Sequence, residues 1–187
     1  MMMTEYNVST KSDNMYFATL KGSRIIHENE WPINFLSIRE YSDIFVKSLI
    51  YLIEKCKLKL YGFVILSDQI HLIVSSPDDD IHEKIEILKK TSAREILRFI
   101  GKKLNAVDDD KSRKYIELRN IFNRFLNTDE SVFWGGNEKL LPLRTFHNPA
   151  DFQPITSDQL VQHLTDKSRN YLQLGANAFT RLMMEAM

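Results

Sequence analysis

The stretch from Leu60 to Ser76, LYGFVILSDQIHLIVSS, constrains this chain more than any other. Two apolar runs flank the polar break Ser67-Asp68-Gln69, and each is short enough to be a buried strand. The break is too short for a crossover helix, so the runs predict an antiparallel hairpin with strands near 60–66 and 70–74. A lone histidine, His71, sits just past the break. Side chains two apart on a strand share a face, so Gln69 and His71 point the same way if both are extended. Two imidazoles there would suit a divalent metal, but the chain offers Gln-x-His, and an amide oxygen suits only a hard cation such as Mg2+. On spacing alone, a hydrogen-bonded structural histidine is the simpler reading.

Amphipathic helices flank the hairpin. Ile38, Tyr41, Phe45, Leu49, Leu52 and Ile53 recur at helical steps and predict a helix over 38–58. Ile81, Ile85, Leu88, Ile96, Leu97 and Ile100 predict a second over 81–104. The acids of SSPDDD favour its start, and Gly101 marks a cap or kink near its end. MYFATL from Met15 reads as a strand running into Gly22, and ENEWPIN around Pro32 as a loop. Further on, AVDDDKS reads as a loop, 114–127 as a helix, and a strand falls near Ser131 to Trp134. A last helix over 156–174 takes Thr156 or Ser157 as its cap and Gly175 as its stop. This order predicts an α+β fold, a ferredoxin-like antiparallel sheet with helices packed on one face, plus a C-terminal helical elaboration. The chain then divides into a polar tail over 1–14 and one domain over 15–187, with its core in 15–104.

Charge is informative only locally. The 187 residues carry 25 Lys and Arg against 25 Asp and Glu, so no global field advertises a polyanionic partner. Between Lys84 and Arg124, however, twelve basic residues face six acids. Lys90, Arg94, Arg98 and Lys102 recur near one-turn spacing, with Lys89 adjacent, and can track phosphates or simply form a solvated helix face. Trp134, before Gly135-Gly136, is the aromatic best placed to stack an unpaired base, with core packing as its other reading. The single cysteine, Cys56, excludes an intramolecular disulfide and reads as a small packed residue in a reducing compartment. The start MMMTEYNVSTKSDN lacks the apolar core of a signal peptide, and no apolar run approaches the roughly 18 residues of a membrane span. A soluble, cytoplasmic protein is expected.

The run LKLYGFVILSDQIHLIVSS resembles the signature hairpin of REP-associated tyrosine transposases, within the single-tyrosine HUH transposase superfamily. Members usually read like L-x-x-Y-A-Y-V-I-M-x-N-H-x-H-L-I-V. REYSDIFVKSLIYLIEKCKL resembles the helix before that hairpin, MYFATL the first strand, and ILKKTSAREILRFI the family's basic helix. FHNPADFQPITSDQLVQHL is similar to the segment entering the family's tyrosine helix, so the likeness spans most of 15–170.

The resemblance implies a site that cuts and rejoins single-stranded DNA. A tyrosine hydroxyl attacks the phosphodiester, a phosphotyrosine intermediate forms, and a divalent cation held by two histidines polarises the phosphate. Two of these parts are altered here. Gln69 stands for the first histidine of the pair, leaving His71 as the second. Ungapped alignment puts Asp166 where the nucleophile belongs and Asn170 where a polar ligand can complete the metal site. The resemblance therefore implies a DNA-binding transposase relative with lost or impaired cleavage, binding single-stranded or hairpin DNA, with Mg2+ or Mn2+ held weakly or not at all. Two alternatives stay open: an active metal-dependent enzyme using Tyr171 as nucleophile, and a ferredoxin-like interaction module without DNA binding. A homodimer is compatible with each.

Overall fold

A computed structural model describes residues 14–22, 25–27, 30–33, 36, 38–105, 119, 134–143, 152–166 and 173–174. In chain order they form β1 (Met15–Gly22), β2 (Ile25–His27), β3 (Glu30–Ile33), α1 (Arg39–Cys56), β4 (Lys59–Ile65), β5 (Gln69–Ser75), α2 (Ile81–Asn105), β6 (Trp134–Pro142), α3 (Ser157–Thr165) and β7 (Gln173–Leu174). The main sheet has the order β6-β1-β5-β4-β7 and every pairing in it is antiparallel. Its first four strands, with α1 and α2 as the connections, have the ferredoxin-like order, as the hairpin and its flanking helices predict. The fold is α+β.

One face of the sheet is covered by α1 and α2. Ala18 and Leu20 from β1, Ile70, Leu72 and Val74 from β5, and Leu60, Phe63 and Ile65 from β4 join Phe45, Leu49, Leu88 and Ile96 in one buried cluster. Strict alternation would place Leu60 and Phe63 on opposite faces. A bulge between Leu60 and Gly62 absorbs Tyr61, so both side chains reach the helix side. Tyr61 instead joins Met15 and Ile73 in a second cluster on the far face, where its hydroxyl lies 3.2 Å from Ser75 Oγ.

Helix boundaries follow local chemistry. At the end of α1, Lys57 adopts the left-handed conformation (φ 55°) that usually falls to glycine, and its N–H bonds the Leu52 carbonyl. Before α2, Ser76 Oγ donates to the Asp80 carboxylate, and the Lys84 ammonium donates to Asp80 at 2.8 Å and to Ser76 Oγ at 2.6 Å. Lys84 is buried, so this pairing offsets the cost of removing its charge from water. Burial opposes ionisation of the Asp80 carboxyl, but the Lys84 and Ser76 hydrogen bonds and the Lys84 charge outweigh it and hold the group below its ordinary range. Gly101 neither caps nor ends α2, which continues to Asn105.

Three sequence expectations are corrected. ENEWPIN is not a loop throughout: Glu30–Ile33 pairs with Ile25–His27 in a separate two-stranded ribbon. Proline is tolerated there because Pro32 lies between the paired positions Ile33 and Glu30. The strand expected near Ser131–Trp134 runs over Trp134–Pro142.

The helix expected over 156–174 is much shorter. Thr156 caps it in a capping box with Gln159, but it ends at Thr165, and Gln173–Leu174 is a strand pairing with β4. The apolar spacing stops at Leu164, and Thr165 Oγ1 donates to the Gln162 carbonyl at 2.7 Å, satisfying an acceptor of the last turn. The sequence that follows, DKSRN, is polar and rich in weak helix formers.

Cys56 is half-buried against the main core. The AVDDDKS loop and nearly all of the 114–127 helix lie outside the described residues, as does the tail over 1–13. Among the described residues no helix is long and apolar enough to cross a membrane.

Candidate site on the helix-distal face of the sheet

Because β5 alternates, the residues between Ile70, Leu72 and Val74 face away from the helices. His71 is one of them. Register aligns a row across the sheet at its level: Lys139 on β6, Thr19 on β1, His71 on β5, Val64 on β4 and Gln173 on β7. In the next row towards the hairpin turn, Lys21 stands opposite Gln69. On the other side lie Leu141, Phe17, Ile73 and Gly62. His71 thus sits on the border between a polar and an apolar half of this face.

Its contacts orient the imidazole. Thr19 Oγ1 lies 3.0 Å from His71 Nδ1, and the Phe17 ring stacks on it with centroids 5.4 Å apart and planes 15° from parallel. Burial disfavours the imidazolium and lowers the His71 pKa, against the opposing pull of Asp68. A neutral imidazole has two tautomers. If Nδ1–H donates to Thr19, Nε2 carries the lone pair that a metal or a proton would use.

The donor set for a metal is thin. Gln69 shares the His71 face and is half-exposed, as the spacing predicts, but it supplies only an amide oxygen. Among the described residues no cluster of three His, Cys, Asp or Glu could hold an ion. Asp166 does not join His71. It lies at the C-cap of α3, which packs against α1, and its carbonyl accepts from the Arg39 guanidinium at 3.5 Å. That places it on the helix side of the sheet. Asn170 and Tyr171 lie outside the described residues.

The residues expected to meet DNA divide. Trp134 is corrected from stacking platform to core residue: it is 1% exposed, and its indole N–H donates to the Lys89 carbonyl at 3.0 Å and to Ser92 Oγ at 3.2 Å. Its ring meets Phe45 edge-on. Lys89 is also buried, with its ammonium 2.6 Å from Glu86. Lys90, Arg94, Arg98 and Lys102 are exposed, Arg98 pairing with Glu95 at 3.0 Å. A four-residue step drifts by about 40° on an α-helix, so these four wind around α2 instead of forming a straight line.

Thr19, Phe17, Lys21 and Lys139 complete the surroundings of His71, and no motif in the sequence marks them. The signal for the first three is present in MYFATLK, where Phe17, Thr19 and Lys21 alternate with Ala18 and Leu20. What that pattern does not carry is the strand that β1 pairs with.

No family model, no curated protein and no solved structure matches this chain. Fold and site together define an α+β protein with a ferredoxin-like sheet and a histidine oriented by Thr19 and Phe17 on its helix-distal face.

Proposed function

We propose that the chain is a DNA-binding relative of the REP-associated tyrosine transposases whose strand-cleaving centre has been dismantled, acting on single-stranded or hairpin DNA in the cytoplasm. The observation that carries this reading is His71, oriented through Nδ1 by Thr19 beside Gln69. Metal-binding imidazoles characteristically donate their second ring N–H to an orienting partner, and the Thr19 contact fits that arrangement. The second imidazole is gone, and Asp166, at the position of the nucleophile, offers a carboxylate in place of a hydroxyl, its backbone carbonyl accepting from Arg39. One imidazole and one amide give Mg2+ or Mn2+ little to exchange its water for.

A second reading has one observation in its favour. β7 pairs with the edge of β4, and Val64 stands between Gln173 and His71 in the same row. The chain just downstream of Tyr171 therefore returns to the sheet at the level of His71, which suits Tyr171 as an alternative nucleophile.

Incubation with single-stranded hairpin DNA and Mg2+ or Mn2+ separates the two. The expected result is retarded mobility without nicking and without a covalent protein–DNA adduct. Adducts from the wild type that vanish in Tyr171→Phe overturn the dismantled-site reading. Gln69→His tests the metal half directly: the restored pair should give saturable Mn2+ heat in calorimetry, at least tenfold tighter than wild type. Equal, tight binding by both proteins counts against the loss of the metal site.

A further inference from the structure

We propose that the groove between α1 and α2, on the side of the sheet opposite His71, is a docking track for single-stranded nucleic acid, with Tyr51 stacking a base and Lys47, Arg98 and Lys102 meeting the phosphates. The proposal deepens the DNA-binding reading but does not depend on the fate of the catalytic centre.

The groove has a volume of about 350 Å³, enough for a base to enter. Lys47 and Tyr51 line it from α1, and Glu95, Arg98, Phe99 and Lys102 from α2. Three of its charges are positive and one is negative, and Glu95 is already paired with Arg98. That excess stands out against a chain whose total charge is zero. Basic residues on both walls with an aromatic between them are the elements of a sequence-tolerant single-strand site.

Tyr51 is the decisive residue. It is 49% exposed on a helix whose neighbouring positions Leu49 and Leu52 are fully buried, so the core does not require it. Its ring is large, apolar and accessible at the edge of a cationic groove, where a nucleobase gains from stacking and its phosphates from the lysines. The occupant is an anionic, unpaired polymer with flat apolar groups. An acidic peptide matches the charge but has no regular aromatic content to match Tyr51.

Fluorescence anisotropy with labelled oligothymidylate, in a salt series, tests this on the full chain. Wild type should bind at low salt, with affinity falling as salt rises. Tyr51→Ala should weaken binding about tenfold, the range for loss of one stacked base. Combined Lys47→Gln, Arg98→Gln and Lys102→Gln should weaken it further and flatten the salt slope by about 0.7 for each phosphate no longer neutralised. Unchanged melting curves exclude misfolding, and Val161→Ala, exposed on α3 and outside the groove, should bind like wild type. Groove variants that bind as wild type overturn the groove and leave DNA binding standing. A wild type without affinity for any single strand overturns both. Polyglutamate that competes on equal terms overturns the nucleic-acid assignment in favour of an acidic protein.

Discussion

Along β5, Ile70, Leu72 and Val74 turn to the helices and are completely buried, while Gln69 and His71 on the opposite side keep contact with solvent. The two sides are made by the same backbone and the same pairings. Their difference lies in what covers them. Helix packing closes the first with aliphatic and aromatic side chains, whose burial accounts for most of the fold's stability. The second carries a cross-strand polar row whose hydrogen bonds contribute little net energy, and it can therefore change its chemistry without unfolding the sheet. A site can lose a ligand on such a face and leave the fold intact.

The largest expected contrast follows directly. Leu72→Ala should cost about 2–5 kcal/mol in urea unfolding, because it opens a cavity under both helices. His71→Ala, one residue away, should cost about 1 kcal/mol, chiefly the Thr19 bond and part of the Phe17 stacking. Equal losses would break the distinction between the faces.

The junction leading into α2 should come next. Asp80→Asn removes the carboxylate facing the buried Lys84 ammonium and should cost about 1.5–3 kcal/mol, the range for hydrogen bonds to charged groups. Because the folded carboxyl titrates below its ordinary value, its contribution is present above the unfolded pKa. It disappears as pH falls through the lower folded value. Unfolding measured between about pH 5 and pH 2 should show this acid limb shrinking in Asp80→Asn. An unaltered limb would assign the acid sensitivity to other carboxylates.

The smallest effect belongs to the helix-distal face and lies at higher pH. The folded His71 pKa is depressed, so below the unfolded value of 6.5 the unfolded chain binds the proton more readily. The contribution of His71 is full above that value and declines as pH drops towards the folded pKa. An NMR titration should find the His71 midpoint below 6.5. Thr19→Val should leave stability within about 1 kcal/mol of wild type while altering the imidazole's nitrogen shifts. A midpoint above 6.5 would mean that Asp68, not burial, dominates the site.

Legibility differs by region for physical reasons. α1, α2 and the β4–β5 hairpin are readable because their burial is periodic and their breaks are local. The Tyr61 bulge is not, because it depends on pairing with β5, and alternation alone puts Leu60 and Phe63 on different faces. Trp134 looks available beside two glycines, yet Phe45, Ser92 and the Lys89 carbonyl, distant in sequence, enclose it. Apolar positions at Leu160 and Leu164 suggest a helix continuing to Tyr171, but the polar run after Thr165 lacks the propensity to sustain it. Of the candidate site, the shared face of Gln69 and His71 is legible, since a strand's period is a property of its own backbone. The separation of Asp166 from His71 is not.

By itself, then, the sequence determined which segments are helices and strands at the core, that Gln69 and His71 share a face, and that α2 is basic. Each follows from spacing within a few residues. Only the tertiary structure decided that Thr19, 52 positions away, orients His71, that Lys89 and Trp134 are withdrawn from solvent, and that Tyr51 and Lys102 line one groove. Those relations arise from strand register and helix packing, which no local pattern in a single chain encodes.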